Sequence, residues 1–434
     1  MKNHLNKKRI IFIGGGAAGL MAAGQAAMAG AEVILFEKMD QLGRKLRISG
    51  KGRCNITNSA PIIDFLEEFN QNGKFLRQAF SRFFSDDLIL FFEQYGVPTI
   101  VERGGRVFPV SGKANDVTNA LTRFIKKAGV KIYLNSPVNK LIIKNKKTVG
   151  VKINVSKSST KKHSLIDIEK TSDYFSDAIV LTTGGKSYPR TGSTGDGYFL
   201  AKSAGHTIVP TRPALVPLIT SGNTASQLDG LTLRNVRIKI LVNNKKKNET
   251  FGEITFTDFG ISGPIILTLS RLCVDELNQK QKLVLSIDLK PALDEQKLDK
   301  RLIRDFEQNG KQQIRKILVK LLPHKLIPVC LDEIKIPPDK PGFQITAIER
   351  KRLRNWLKDF RLDITGYRSF SEAIITAGGV STKEINPRTM ESRLVKNLYF
   401  AGEVLDIDGN TGGYNLQSAF STGWLAGRSA AESL

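Results

Sequence analysis

Residues 10–37, IIFIGGGAAGLMAAGQAAMAGAEVILFE, contain an apolar strand, glycines at 14, 16 and 19, a helix of small residues, a second strand and a terminal acid. Each part has its own duty in a dinucleotide-binding βαβ unit. Gly14 permits the tight turn out of Ile10–Ile13, Gly16 lets the backbone approach a pyrophosphate, and Gly19 lets helix pack closely on strand. The pyrophosphate would rest on the helix N-terminus, where free N–H groups and the positive end of the dipole favour an anion. Glu37, 18 residues beyond Gly19, closes the strand Glu32–Phe36 and is placed to accept hydrogen bonds from ribose hydroxyls. A GxGxxG alone is weak evidence; here strand, helix, second strand and acid are all in register, which predicts an α/β fold with a Rossmann-like cofactor domain.

The 434 residues suffice for two or three domains with ample cores. Ile10–Ile13 is too short for the apolar core of a signal peptide, and Ala17–Phe36 is interrupted by Gln25 and Glu32, so we expect a cytoplasmic protein with no membrane partner. Cys54, Cys273 and Cys330 form no CxxC pair, which argues against a disulfide relay, an iron–sulfur cluster and a disulfide-stapled fold. His4, His163, His206 and His324 are equally scattered, and no metal is expected.

Charge is the unusual bulk property, with 66 Lys and Arg against 41 Asp and Glu, a net +25. The excess is clustered at Lys7–Arg9, at Arg44, Lys45, Arg47, Lys51 and Arg53, at Lys144–Lys147, at Lys161–Lys162, at Lys245–Lys247, and at Arg350, Lys351, Arg352 and Arg354. Such a balance favours polyanions through counterion release. The alternative is solvated loops, which suits Lys144–Lys147, Lys157–Lys162 and Lys245–Lys247 as hairpin tips; Arg350–Arg354 is harder to read that way.

Two further apolar strands end in glycine turns, Asp177–Thr183 before Gly184-Gly185 and Asn397–Ala401 before Gly402-Glu403. Strands that end this way belong to one nucleotide-binding sheet, whose ligands gather at the carboxyl ends. The cofactor domain is therefore discontinuous, with parts at residues 1–205 and 368–434. Residues 206–290 and 336–367 read as an inserted β-rich substrate domain with strands at Val236–Val242 and Lys282–Leu289. Residues 291–335 read as a small helical subdomain, with apolar positions at Leu302, Phe306, Ile314, Ile317, Leu318 and Leu321. Thr255–Leu269 joins a strand end to a glycine-proline turn and a helix start, with Pro264 in its first turn.

The stretch 43–58, GRKLRISGKGRCNITN, is too glycine-rich and basic for a core element and is suited to wrapping a flat ring and a diphosphate. Arg44 or Lys45 would lie near phosphate, and Ser49–Asn55, with Gly50, near the ring; the alternative is an ordinary surface loop. In 397–427 a strand ends at Gly402-Glu403, Gly409–Gly413 form a loop, and a helix begins near Asn415–Gln417. Glu403 is suited to a ribityl or ribose hydroxyl. The helix N-terminus would face the pyrimidine edge of an isoalloxazine, where its N–H groups would stabilise negative charge on the reduced ring.

The segments GGGAAGLMAA, GRKLRISGKGRCNITN, TTGGKSYPRTGSTGDGY, FTDFGISGP and AGEVLDIDGNTGGYNLQSAFSTG together resemble the HI0933-like flavoproteins, across the whole chain and in the family's order. The resemblance implies non-covalent FAD, NADPH or NADH as electron donor, and an active site between cofactor and inserted domains. It carries Gly14, Gly16, Gly19, Glu37, Arg44, Thr183, Gly184, Gly402, Glu403, Gly413, Asn415 and Leu416 to the flavin site. Ala18, Lys38, Lys45, Gly50, Asn55 and Val138 complete the expected cofactor-binding set.

Members of the family resemble a ribosomal RNA dihydrouridine synthase, an aminoacetone oxidase or a bile-acid enone reductase. Charge separates these, because a reductase of a small amine or steroid has no need of +25, whereas one acting on rRNA must bind phosphates and admit an unstacked base. The expected reaction is hydride transfer from reduced flavin to uracil C6 with protonation at C5, and ribosomal RNA is the expected partner. Cys54 is a candidate acid, with a small buried cysteine as the alternative; Tyr188 and Tyr414 are the others. Arg53 and Arg190 would hold a substrate group or pair with carboxylates, His206 reads as a structural cap, and Asp258 would line the site or cap a turn. Two other classes remain open, a small-molecule flavin oxidoreductase and a non-catalytic, flavin-stabilised ribosome-binding protein.

Overall fold

The computed structural model describes residues 7–69, 71–155 and 170–432, so the cations at Lys157, Lys161 and Lys162 lie outside the described residues. The chain divides into two compact units, Met1–Pro213 with Ala373–Leu434, and Ala214–Glu372.

The first unit opens with β1 (Arg9–Ile13), α1 (Ala17–Met28), β2 (Glu32–Phe36), the short α2 (Arg44–Ile48), β3 (Lys131–Tyr133) and β4 (Ala178–Leu181). Between β3 and β4 a three-stranded antiparallel sheet runs through Val138–Lys144, Lys147–Val155 and Lys170–Phe175. The turn of its first hairpin holds Asn145 and Lys146 at φ +49° and +56°, so Lys144–Lys147 is a hairpin tip as expected.

The second unit is a closed antiparallel barrel with helices. Its elements are β5 (Leu218–Thr220), β6 (Thr232–Val242), β7 (Lys245–Thr257), β8 (Gly260–Ser262), α3 (Pro264–Asn278), β9 (Leu283–Asp288), α4 (Glu295–Gln308), α5 (Leu326–Glu333), α6 (Ala347–Lys358) and β10 (Phe360–Tyr367). The barrel order is β5-β8-β7-β6-β9-β10, closed by β10 against β5. Its core joins barrel residues such as Ile238, Ile240, Leu285 and Ile287 to Leu302, Phe306, Ile314, Ile317, Leu318 and Leu321 of the helical stretch. Helix α6 falls in a stretch read as β-rich, because its apolar residues Leu353, Trp356 and Leu357 are few among many charges. A capping box starts it: Thr346 Oγ1 accepts from Glu349 N–H, and the Glu349 carboxylate accepts from Thr346 N–H at 2.8 Å.

The chain returns to the first unit with the strand Ile375–Val380, then β11 (Leu398–Phe400) and α7 (Tyr414–Glu432). The resulting sheet, β11-β4-β1-β2-β3, is parallel throughout. Both of its faces are covered: Ile10 and Phe12 join one core and Ile11 and Ile13 the other, which is why β1 reads as an unbroken apolar run. This is the α/β, Rossmann-type architecture that the sequence predicts.

Candidate functional site

The three glycines after β1 do separate work. Gly14 has φ +104°, and a Cβ there would lie 2.6 Å from the Thr182 carbonyl oxygen, so only glycine allows β4 this close. A Cβ on Gly19 would fall 1.9 Å from the Gly14 carbonyl oxygen, which fixes helix against strand. Around Gly16 nothing lies within 4 Å of the corresponding point, and no side chain caps α1. The N–H groups of the first turn have no side-chain cap, and the space beside Gly16 is open, which suits a diphosphate. Ala18 is buried beside Gly402, whose own Cβ would approach the Ala18 methyl to 2.8 Å.

Glu37, expected at a ribose, is engaged by backbone donors. Its carboxylate accepts from Gly15 N–H at 2.7 Å and from Met39 N–H at 2.8 Å, fastening the end of β2 to the glycine turn. Burial pushes its pKa up against the downward pull of these backbone donors. The next residue, Lys38, reaches Asp196 at the start of the helix Asp196–Ser203 and ties a second helix N-terminus to β2.

Lys45 and Glu403 were expected at a phosphate and a sugar hydroxyl; the structure makes them partners. Lys45 Nζ lies 2.7 Å from one Glu403 carboxylate oxygen, while the other accepts from Ser187 Oγ at 2.9 Å and Thr376 N–H at 2.8 Å. Thr376 Oγ1 in turn accepts from Lys186 and Ser187 N–H groups. One network thus joins α2, the turn after β4, the strand Ile375–Val380 and the turn after β11. Nothing in the local sequence marks Thr376, since its strand Ile375–Val380 carries Gly378 and Gly379 within it and pairs with Ile208–Ala214 rather than joining the parallel sheet. Arg44 sits on Asp40 at 3.2 Å.

In the basic loop, Gly50, Lys51, Gly52 and Cys54 all have φ between +56° and +83°. For Lys51 and Cys54 this is a strained choice, and such strain gathers at ligand-binding turns. Arg53 pairs with Glu102 and stacks on the Phe108 ring at 4.2 Å, so the carboxylate alternative holds for it. Asn55 Oδ1 and Thr183 Oγ1 are buried atoms with no hydrogen-bond partner among the described residues. Open space at Gly16 and these two orphaned polar atoms fit a dinucleotide cofactor such as FAD.

The candidate acids differ sharply in access. Cys54 is fully buried among core residues, its thiol pushed up to about 12 by burial, so it presents no surface from which to deliver a proton. Tyr414 begins α7 but is buried edge-on to Phe65, with ring centroids 4.6 Å apart, and burial raises its pKa. Tyr188 is only half-buried and is held at φ +52° ahead of Pro189. Gly184 is also left-handed at φ +73°, and a Cβ on Gly413 would strike the Thr57 carbonyl at 2.3 Å. The Asn415 amide holds the loop before α7 through Gly409 and Asn410, Leu416 packs on the core, and Val138 is buried in the other core of the same unit.

His206 is structural, as expected: Nδ1 lies 3.1 Å from Glu384 and Nε2 2.8 Å from Ser392 Oγ, with the ring edge-on to Phe400. Arg190 and Asp258 are exposed. Among the described residues no helix is long and apolar enough to cross a membrane, and no group of three or more His, Cys, Asp or Glu side chains is arranged to hold a metal.

The HI0933-like protein Rossmann domain family model matches residues 8–429. A 3-dehydro-bile acid delta(4,6)-reductase of Clostridium scindens is 32% identical over 98% of this chain and 99% of its own length. A ribosomal RNA dihydrouridine synthase of Haemophilus influenzae is 31% identical over 95% of this chain and 96% of its own. Among solved structures, the 3-ketosteroid delta1-dehydrogenase of Sterolibacterium denitrificans superposes with TM-score 0.53 at 13% identity, covering 99% of this chain and all of the other, a likeness of fold.

Proposed function

The chain belongs to the HI0933-like family, an FAD-dependent oxidoreductase lineage, and on that premise we propose that it reduces a uridine of large-subunit ribosomal RNA to dihydrouridine, with NADPH or NADH as the source of electrons. The observation that carries the RNA substrate is the net charge of +25, which a small neutral substrate does not need. FAD, when bound, supplies a ring that accepts and donates hydride. The first turn of α1 would hold its diphosphate with N–H groups that no side chain caps, and Gly16 would let it approach. The N-terminus of α7, entered through Gly413, would offer its N–H groups and the positive end of its dipole to a reduced, anionic flavin ring. The Lys45–Glu403–Thr376 network fixes the glycine turns that frame this space. Tyr188, the candidate donor that keeps an open face, delivers the proton.

The test is a map of dihydrouridine in large-subunit rRNA from cells with and without the gene, complemented by wild type and by Gly14→Asp. Loss of one site, restored by wild type alone, is the expected result; an unchanged map overturns the proposal. A second reading has its own support: the bile-acid reductase relative is as similar as the RNA-modifying one. A 3-oxo steroid dienone and uracil share a carbon–carbon double bond conjugated to a carbonyl, so the same site would serve a small enone.

A further inference from the structure

Of the basic clusters, the one at 350–354 resolves into two faces of α6. Arg350 lies 3.1 Å from Asp299, and Arg354 approaches both Glu295 at 3.6 Å and Asp299 at 3.8 Å, so these two arginines are neutralised by α4 within their own unit. Lys351 and Arg352 point elsewhere. Both are exposed, and neither side chain makes an ion pair or hydrogen bond among the described residues. With Ile348 and Asn355 they occupy positions i, i+3, i+4 and i+7 of the helix, one face, and all four are exposed; Ile348 is 74% so.

Lys351, Arg352 and Asn355 also line an open cleft of about 760 Å³. Its three carboxylates are already engaged. Glu295 is on Arg354, Glu333 accepts from Trp356 Nε1 at 2.7 Å, and Asp359 is on Arg361 at 2.7 Å. The cleft's cation Lys358 is likewise held, by Asp288 and two backbone carbonyls. The charge left without a partner on this surface is therefore positive, and it comes from two adjacent residues on one rigid helix. By contrast, Lys246 and Lys247 at a hairpin tip are matched to Glu249 and Glu276.

We infer that the exposed face of α6, Lys351 and Arg352 between Ile348 and Asn355, is a contact for the phosphodiester backbone of RNA. Lys351 and Arg352 are neighbours, about 1.5 Å of helix rise apart, and two long cationic side chains fanning from adjacent positions suit neighbouring phosphates, while the exposed Ile348 gives apolar contact beside them. The inference rests on the reading of the chain as an RNA-acting reductase and says where part of that RNA is held.

The experiment measures binding of a fluorescent large-subunit rRNA fragment to the full-length FAD-loaded protein against KCl concentration, for wild type, Lys351→Glu/Arg352→Glu and Lys351→Gln/Arg352→Gln. Flavin absorbance and melting temperature report folding, and the neutral pair serves if the charge-reversed pair fails to fold. The expected result is at least a tenfold loss of affinity at low salt, with the slope of log K against log salt shallower by about 0.7 for each phosphate contact removed. Unchanged affinity and slope, with wild type still steeply salt-dependent, overturn the α6 contact while leaving the RNA reading intact. Wild type with no salt-dependent RNA binding overturns both. Loss of binding to poly-glutamate with RNA binding untouched assigns the face to an acidic protein and also overturns the contact.

Discussion

Tyr188 sits in a conformation that costs a non-glycine residue on the order of 1 kcal/mol, in a turn that the Thr376–Ser187–Glu403 bonds hold from below. In the proposed mechanism this strained, half-buried tyrosine is the proton donor. Tyr188→Phe should lower kcat by roughly 100-fold or more while FAD remains bound, and Cys54→Ala should keep turnover near wild type, since its thiol is sealed in the core. Full turnover by Tyr188→Phe would remove the tyrosine from the mechanism. His206 makes a separate prediction. Burial lowers its pKa against the upward pull of Glu384, so the folded chain holds the ring neutral. Because the folded value lies below the unfolded one of about 6.5, the stability involved is fully present above that pH and is lost as pH falls from it towards the folded pKa. Melting temperature followed from pH 7.5 down to 5.5 should therefore fall more steeply in wild type than in His206→Gln; parallel curves would exclude His206 as the source.

At the scale of elements, α1 and α7 meet backbone to backbone. A Cβ on Gly423 would lie 2.5 Å from the Ala18 carbonyl oxygen, and one on Gly427 2.2 Å from that of Ala22. Backbone cannot yield as a flexible side chain can, so Gly427→Val should cost about 1–3 kcal/mol and lower the melting temperature, measured by calorimetry; an unchanged melting temperature would mean that the helices separate freely. The β1–α1–β2 unit was legible because its signals are local: an apolar run, glycines at fixed offsets and an acid at the next strand's end. The Lys45–Glu403 pair was not, because its partners are 358 residues apart and each alone resembles a ligand-binding residue. Lys45→Met removes one side of a half-buried, charge-assisted bond and leaves Glu403 with its other two donors. We expect a loss on the order of 2 kcal/mol and weaker FAD retention on gel filtration. Retention equal to wild type would reduce the pair to a surface contact.

For the whole molecule, composition announced an excess of cations but not which of them are free. Sorting them needed the fold: Arg350 and Arg354 lie against α4, Arg53 against Glu102 and Lys131 against Glu32, all partners distant in sequence. Barrel closure was equally hidden, since β5 is three residues long and pairs with β10 across most of the insertion. What survives pairing still sums to +25, and this field acts on a polyanion while leaving a neutral small molecule untouched. The two substrate readings therefore separate by salt. If RNA is the substrate, kcat/KM for an rRNA fragment should fall by roughly a thousandfold between 50 and 200 mM KCl, as counterion release predicts for six or more phosphate contacts. Over the same range kcat/KM for a small conjugated enone should change little, because its encounter with the site displaces no counterions. Measured side by side on one enzyme preparation, a steep RNA curve beside a flat enone curve assigns the charge to substrate capture. Robust enone turnover with no RNA turnover at any salt would give the site to a small molecule and leave the positive surface without a catalytic role.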